Sequence, residues 1–215
     1  MLKKIFYWSP HINSEVATVK AVFNSAQSLS IYSKKYKPYI INVFGEWNLM
    51  IDKLKKYNIP IMNIYNFKLN LPINGFIKSR IFYLILSILV FFPIIKLIKK
   101  EKPDYLIIHL INIPVLLASF FLPEKTKIIL RISGFPKLNF FRIFFWKLAS
   151  KNLTLVFSPT LITKNILVKK NVFDEKKIYL LRDPIIKIRE IVQLKKEPIQ
   201  DINKDSKYIV AIGRL

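Results

Sequence analysis

The sequence predicts an α/β fold, a Rossmann-like parallel sheet flanked by helices. The first observation is a short apolar run at 105–110, followed by an apolar helical run at 113–122 and a second strand at 127–132. Strand, crossover helix and strand form a βαβ unit, whose strands must be parallel. The second observation is that strand-like and helix-like stretches alternate along the rest of the chain. Ligands of such sheets bind beyond the carboxyl ends of the strands, so the loops there are the candidates for function.

The first third of the chain repeats this alternation. Residues 3–8 form a strand, and 9–13 are the loop at its carboxyl end. A helix of about twenty residues follows from Ser14, with Asn13 or Ser14 as its N-cap, because apolar residues recur at helical spacing. The next elements are a strand at 38–44, a helix at 48–57 and a strand at 60–65.

Residues 81–98 are the most hydrophobic segment, and two interpretations apply to them. They are long enough to span a bilayer, although Pro93 and Lys96 lie within the segment. They also lead directly into the strand at 105–110, where a βαβ fold requires a crossover helix. We favour a helix packed on the sheet, with one apolar side available to lipid. The alternative is a non-enzymatic, membrane-associated or single-span protein organised by 81–98.

The second half continues with an amphipathic helix at 139–151, whose aromatic and basic sides fit either an interfacial helix or a core-facing helix equally well. The elements that follow it are a strand at 153–157, a helix beginning at Ser158-Pro159 and running to 170, and a strand at 177–181. Residues 1–186 are therefore expected to form one domain. Residues 187–206 are charged and aperiodic, which predicts a linker, and 207–215 resemble the first strand of a second, truncated domain.

Composition restricts the chemistry and the partners. The chain has no cysteine and only two histidines, so we predict no metal site. Its net charge of +23 is compatible with binding to nucleic acid or to an anionic membrane surface. Part of this charge reflects a general bias of the composition toward lysine rather than a particular partner. We predict no nucleic-acid binding, because the lysines are scattered and no recognition motif is present. With 52% hydrophobic residues, an anionic membrane surface is the expected partner.

The loops at the predicted carboxyl ends supply the candidate cleft residues. They contain only scattered glycines, which excludes the Gly-rich dinucleotide fingerprint and the P-loop. Trp47 either stacks on a sugar or packs at the edge of the fold. The cleft candidates are His11, Asn13, Glu46, His109, Arg131, Ser133 and Gly134.

Three stretches carry a family resemblance. They are K-P-D-Y-L-I-I-H-L at 102–110, S-P-T at 158–160 with F-D-E-K-K-I-Y-L-L-R-D-P-I at 173–185, and Y-I-V-A-I-G-R-L at 208–215. Their order and spacing resemble the amino-terminal half of family-4 glycosyltransferases, GT-B enzymes with two Rossmann-like domains facing a cleft. The chain departs from that pattern in its first loop, which has S-P-H-I-N-S instead of Gly-Gly. It also departs at R-I-S-G (131–134), where Arg131 or Ser133 would replace the histidine of many members.

The resemblance implies a specific activity. Residues 1–186 would be the acceptor domain, and 207–215 would begin the donor-binding domain. The reaction would be retaining transfer of a sugar from a nucleotide-diphosphate donor to a glycan or lipid-linked acceptor of bacterial surface polysaccharide, with no cofactor. Arg214 and Gly213 match the donor-diphosphate motif; no residue is assigned a catalytic role. The protein would be cytoplasmic and peripheral on the inner face of the inner membrane. We expect little transferase activity from this chain alone, unless a separate chain supplies the donor domain.

Overall fold

The structure is a computed structural model of the chain, and it describes residues 2–11, 17–67, 76–184 and 188–197. The strands are β1 (Lys3–Trp8), β2 (Tyr36–Asn42), β3 (Ile61–Asn63), β4 (Tyr105–Ile108), β5 (Lys127–Arg131), β6 (Leu153–Ser158) and β7 (Ile178–Leu180). The helices are α1 (Ala17–Tyr32), α2 (Ile51–Lys56), α3 (Phe76–Glu101), α4 (Ile113–Ala118), α5 (Phe140–Ala149), α6 (Leu161–Lys169) and α7 (Ile188–Leu194). Short 3₁₀ turns occupy Asn48–Met50, Ser119–Phe121, Ser150–Asn152 and Glu175–Lys177.

The strands of the described residues form one parallel sheet in the order β3-β2-β1-β4-β5-β6-β7. From β1, the strands β2 and β3 are added on one side of the sheet. Helix α3 then leads the chain back to the other side of β1, where β4 to β7 are added in turn. The predicted fold class, a Rossmann-like parallel sheet flanked by helices, is confirmed. The strands predicted between residues 3 and 181 are all present, but their limits differ by a few residues, as at β2, where 38–44 was expected.

Two apolar cores cover the two faces of the sheet. Alternate residues of a strand point to opposite faces, so Phe6 and Trp8 enter one core while Ile5 and Tyr7 enter the other. The larger core receives residues of α3, α4, α5 and α6, and the smaller one receives residues of α1 and α2. Burial on both faces explains why the central strands read as continuous apolar runs rather than as alternating ones.

Helix α3 is the predicted crossover helix, and it lies along the sheet. Leu86, Val90, Ile94 and Ile98 recur every fourth residue and are all buried in the larger core. Ile88, on another side of the same helix, is 66% exposed. No helix in the part of the chain that the structure describes is long and apolar enough to cross a membrane. Residues 81–98 form part of a helix that packs one side against the sheet, as the favoured interpretation predicted.

Pro93 lies inside α3, and the structure shows how the helix accommodates it. A proline has no N–H to donate to the carbonyl four residues earlier, here that of Leu89. The Tyr65 hydroxyl donates to that carbonyl oxygen instead, at 2.7 Å. Tyr65 belongs to the loop after β3, and its own N–H donates to the Val43 carbonyl at 3.2 Å. The interrupted turn of α3 is thus tied to the end of the sheet.

Side-chain caps fix where two helices begin. Asn139 accepts a hydrogen bond from the Arg142 N–H at 2.9 Å, which starts α5 within a residue of its predicted position. Thr160 caps α6 in the same way, through the Thr163 N–H at 3.1 Å. The prediction that this helix begins at Ser158 is wrong, because Ser158 is the last residue of β6. The predicted caps of α1, Asn13 and Ser14, lie outside the described residues.

The residues from 186 onward form a separate unit from residues 1–185. Within that unit the structure shows α7, a helix that the aperiodic composition of 187–206 did not predict. The assignment of 187–206 as a linker and of 207–215 as the first strand of a second domain stays a prediction, since 198–215 lie outside the described residues.

The one-sided packing of α3 can be tested with a matched pair of substitutions. Ile94→Ala removes a side chain with no exposed surface and should lower the free energy of unfolding by about 2–5 kcal/mol, because it leaves a cavity in the larger core. Ile88→Ala removes an exposed side chain of the same type and should change that free energy by no more than about 0.5 kcal/mol. Urea denaturation of both variants is the measurement. Equal losses would contradict the packing described.

Candidate functional site

The order of the strands reverses between β1 and β4, which are neighbours in the sheet. The helix after β1 packs on one face and the helix after β4 on the other, so the loops that follow the two strands diverge. Crevices at such switch points, beyond the carboxyl ends of the strands, are the usual ligand sites of open parallel sheets. We use the term switch point for residues 9–11 and 109–112.

The polar side-chain atoms that are buried without a hydrogen-bond partner cluster around the switch point. Among the described residues they are the Ser9 hydroxyl, Nε2 of His11, the Trp47 indole N–H and both ring nitrogens of His109. Each such group costs about 1–3 kcal/mol when it is left unpaired. All of them lie just beyond the carboxyl ends of β1, β2 and β4. Buried polar groups without a partner are uncommon in folded proteins, so their concentration in one place makes this end of the sheet the candidate site.

His11 was predicted as a cleft residue, and it is buried at the switch point. Its Nδ1 lies 3.2 Å from the Ser9 carbonyl oxygen, which orients the ring. The ring meets Trp47 edge-on, with 4.8 Å between the ring centroids. Burial lowers the pKa of His11, so the neutral imidazole is favoured. Trp47 is fully buried in this contact, which settles its two interpretations in favour of packing rather than stacking on a sugar.

His109 follows β4 directly and is buried beside Tyr7, with 6.2 Å between the two ring centroids. Its backbone N–H donates to the Trp8 carbonyl at 2.9 Å, which continues the β1–β4 ladder by one residue. Burial, together with the positive charge of Arg131, lowers the pKa of His109 to about 3. The ring is therefore neutral at physiological pH. It can donate one hydrogen bond and accept another, but it cannot serve as a cation.

The loop after His109 holds a backbone conformation that is unusual for its residue. Ile111 has φ of +47°, in the left-handed region that β-branched residues rarely adopt. The Trp8 indole N–H donates to the Ile111 carbonyl at 3.0 Å and fixes this geometry. Backbone strain of this kind costs about 1–3 kcal/mol and is often found at functional sites. The strained residue lies on the same loop as the unpaired imidazole.

Glu46 was predicted as a cleft residue, but its carboxylate is occupied by its own loop. It accepts hydrogen bonds from the N–H groups of Val43, at 2.9 Å, and Phe44, at 2.8 Å. Burial raises the pKa of Glu46, although these N–H donors oppose the shift. Gly45 permits the turn with φ of +85°, and a Cβ there would lie 2.8 Å from the Asn48 side chain. Glu46 therefore shapes the loop after β2.

Arg131 was also predicted as a cleft residue, and it forms a buried ion pair. Its Nη2 and Nε lie 2.6 and 3.0 Å from Oδ1 of Asp183, and Nη2 also donates to the Arg182 carbonyl at 3.0 Å. The segment 181–184 is anchored further by the Asn24 amide, which donates to the Pro184 carbonyl at 2.6 Å. Arg131 thus positions this segment, and its charge is largely neutralised. Asp183, the partner of Arg131, was not among the predicted site residues.

The remaining predicted site residues have fewer contacts. Ser133 is half-buried and Gly134 is exposed, with φ of +70° and open space around its α-carbon. Asn13, Gly213 and Arg214 lie outside the described residues. Ser9 was not predicted, although its place directly after β1 is a signal that could have identified it.

Metal-ligand groups and surface pockets are the other features that could form a site. No group of three or more His, Cys, Asp or Glu side chains able to hold a metal ion occurs within the described ranges. A surface pocket of 360 Å³ lies between α2 and β3, lined by residues such as Ile51, Lys55 and Asn63. None of the unpaired atoms at the switch point lines this pocket, so it is separate from the switch point.

The class of protein that this fold defines is the Rossmann-like α/β class, and solved structures specify it further. A glycosyltransferase from Rickettsia africae matches 93% of this chain and 51% of its own length, with a TM-score of 0.58 and 17% identity. A UDP-GlcNAc 2-epimerase from Neisseria meningitidis, bound to UDP-GlcNAc, matches 91% of this chain and 51% of its own length, with a TM-score of 0.59 and 14% identity. A putative UDP-N-acetylglucosamine 2-epimerase from Listeria monocytogenes matches 83% of this chain and 45% of its own length, with a TM-score of 0.58 and 16% identity.

These likenesses establish the fold as one of the GT-B type. The chain spans about half the length of the proteins it resembles. At identities below a fifth, the likeness carries the fold and no particular activity. No protein-family model and no curated protein matches the sequence.

The neutrality of His109 predicts how stability depends on pH. In the unfolded chain the pKa is near 6.5, whereas in the folded protein it is about 3. Between these values the unfolded state binds a proton that the folded state does not, so the contribution of His109 to stability falls as pH is lowered through this window. His109→Gln should lose this part of the pH dependence in urea denaturation at pH values from 7 to 4. Imidazole NMR signals of His109 that titrate near 6.5 in the folded protein would contradict the prediction.

The Arg131–Asp183 pair can be compared with the more exposed Lys4–Glu101 pair, whose N–O distance is 3.2 Å. Asp183→Asn leaves the buried guanidinium without a counter-charge and should lower the free energy of unfolding by about 3 kcal/mol. Glu101→Gln is the matched control and should cost less than about 1 kcal/mol, because Lys4 remains solvated. Chemical denaturation measures both. A loss for Asp183→Asn no larger than that of the control would mean that the pair does not anchor 181–184.

Proposed function

We propose that residues 1–186 are the acceptor-side domain of a GT-B glycosyltransferase that resembles family 4, and that the switch point binds sugar hydroxyls. The observation that carries the proposal is the cluster of unpaired polar atoms on Ser9, His11 and His109. Hydroxyl groups both donate and accept hydrogen bonds, as neutral imidazoles and a serine hydroxyl do. A sugar bound there would satisfy groups that the protein alone leaves unpaired.

The charges at the switch point agree with a neutral ligand. His109 carries no charge at physiological pH, and the charge of Arg131 is largely compensated by Asp183. A diphosphate leaving group requires cationic or N–H donors to stabilise its developing charge. We therefore assign the sugar, rather than the diphosphate, to this part of the protein.

The diphosphate would be bound on the donor side. We propose Gly213 and Arg214 for this role, as part of a donor-binding domain that follows the linker or that a separate chain supplies. The substrates would be a nucleotide-diphosphate sugar and a glycan or lipid-linked acceptor of bacterial surface polysaccharide, with retention at the anomeric carbon and no cofactor. The proposed location is the cytoplasmic face of the inner membrane.

A second candidate function is the epimerisation of a UDP-linked sugar. It is favoured by the similarity of the fold to the N. meningitidis 2-epimerase, whose structure contains UDP-GlcNAc. An epimerase would convert one nucleotide sugar into another with no acceptor present, whereas a transferase would release the nucleotide diphosphate. The products therefore distinguish the two functions.

Binding of sugars to the full chain tests the proposal. Tryptophan fluorescence is the readout, because Trp8 and Trp47 both contact the switch point. We expect at least one member of a panel of UDP- and GDP-linked sugars and bacterial oligosaccharides to bind. His109→Ala should weaken that binding about tenfold, as expected for the loss of a buried hydrogen bond.

Thr126→Val is the matched control, since Thr126 is a buried polar residue at the amino ends of the strands, where its hydroxyl donates to the Pro103 carbonyl at 2.8 Å. The Thr126→Val variant should bind the same sugar with the affinity of the wild-type chain. An unchanged affinity for His109→Ala, or no binding by any sugar of the panel, would refute the proposed site. The products of incubation with a bound nucleotide sugar, analysed by NMR, then separate transfer from epimerisation.

A further inference from the structure

The pocket between α2 and β3 is the second concave feature of the described part of the chain. It lies beside β3, the strand at one edge of the sheet, and we call it the edge pocket. Its volume of 360 Å³ falls within the range of about 300–1,000 Å³ that is typical of sites for small molecules. The chemistry of its lining therefore indicates which kind of molecule it would hold.

The apolar part of the lining comes from four residues. Ile59 is buried, and Ile51, Pro60 and Ile61 are half-buried, so together they give the edge pocket an apolar surface. Ligand pockets usually combine such a surface with a few polar groups that orient the ligand. Burial of apolar area is favourable, so these four residues predict a ligand with an apolar body.

The orientation of two asparagine side chains in the lining follows from one backbone hydrogen bond. The Trp47 N–H can only donate, and it donates to Oδ1 of Asn42 at 3.1 Å. The Nδ2 group of Asn42 is therefore left to donate to Oδ1 of Asn48, at 3.0 Å, and to Oδ1 of Asn63, at 2.8 Å. Asn48 and Asn63 both line the edge pocket. Their oxygens are thus bonded within the protein, whereas their NH2 groups donate to no atom of the described residues.

The third polar group of the lining is the Lys55 ammonium, which forms no ion pair with any residue that the structure describes. No acidic residue lines the edge pocket: Asp52 of α2 is exposed outside the lining, and no Asp or Glu occurs from 53 to 100. The polar side-chain groups left free in the pocket are therefore all hydrogen-bond donors, and one of them is charged. A carboxylate is complementary to them, because it only accepts hydrogen bonds and carries the opposite charge.

We propose that the edge pocket binds a small carboxylic acid with an apolar body. Its carboxylate would accept hydrogen bonds from the Lys55 ammonium and from the two asparagine NH2 groups, and its apolar part would pack on the four apolar residues of the lining. A second copy of this chain fits less well, because two chains that each carry a net charge of +23 repel one another. The inference goes beyond the proposed function, since the edge pocket contains no residue of the switch point.

Titration of the full chain with hexanoate tests the proposal, with the side-chain NH2 signals of the asparagines in NMR spectra as the readout. Hexanoate should shift the signals of Asn48 and Asn63 in a saturable way. Hexan-1-ol lacks the charge and acetate lacks the apolar body, so each should bind at least about tenfold more weakly than hexanoate. An affinity for either compound equal to that for hexanoate, or no saturable shift with hexanoate, would overturn the proposal.

Asn63→Asp separates the donor from the fold. The new side chain can still accept the hydrogen bond from Asn42, but an anionic oxygen replaces the NH2 group. Hexanoate binding should weaken by about tenfold or more, because a donor is lost and two like charges meet. Asn66→Asp is the matched control, since it adds the same charge at an exposed position after β3 that does not line the edge pocket. Its affinity for hexanoate should stay within about twofold of the wild-type value.

A second pair of variants tests the cation. Lys55→Gln should weaken hexanoate binding by about fivefold, the effect of one ion pair at an exposed site. Lys53→Gln removes an exposed charge of the same helix outside the lining and should leave the affinity unchanged. Equal losses in a variant and its control would mean that the general positive charge holds hexanoate, and would overturn the proposal. A dimer that excludes hexanoate would assign the edge pocket to a second copy. Neither result would alter the sugar-binding test.

Discussion

Parallel pairing is the constraint on which the rest of this structure depends. Parallel strands can be joined only by crossovers. All their carboxyl ends therefore lie at the same end of the sheet, and every connecting helix starts there. The unpaired polar atoms of the switch point and the exposed apolar residues near the starts of α4, α5 and α6 consequently lie at the same end of the sheet. The sheet separates them, because Trp47 and the His109 ring beside Tyr7 lie on the α1 side, whereas α4, α5 and α6 pack on the other side.

The polar residues at this edge divide into two groups. Glu46 is bonded to N–H groups of its own loop, and Arg131 forms an ion pair with Asp183. Both residues therefore hold backbone segments in place. Ser9, His11 and His109 keep free hydrogen-bonding capacity but carry no formal charge. A site of this kind distinguishes ligands by the geometry of their hydroxyls. In the proposed function it would select an acceptor or sugar by shape, while charge recognition would belong to the donor side.

The sequence predicted the elements better than it predicted the contacts. The apolar runs and the alternation of periods were sufficient for every strand of the sheet and for α3 as a crossover helix. They did not reveal that Arg131 pairs with Asp183, because the two residues are distant in sequence and meet only once β7 is in place. Helix α7 was missed since its stretch shows no clear apolar period. The burial of Trp47 results from residues of β1, α1 and α2 that meet in the smaller core, which no local pattern encodes.

The hydrogen bond beside the proline of α3 links that helix to the loops at the end of the sheet. At the interrupted turn the Tyr65 hydroxyl takes the place of the missing backbone donor, and Leu86, one turn earlier, is buried in the larger core. The ring of Tyr65 is stacked on Phe44 with 5.1 Å between centroids, and the N–H of Phe44 is bonded to Glu46. A displacement of α3 relative to the sheet would therefore act on the Tyr65 ring. Through that ring it would reach the loop after β2, which Glu46 holds in place.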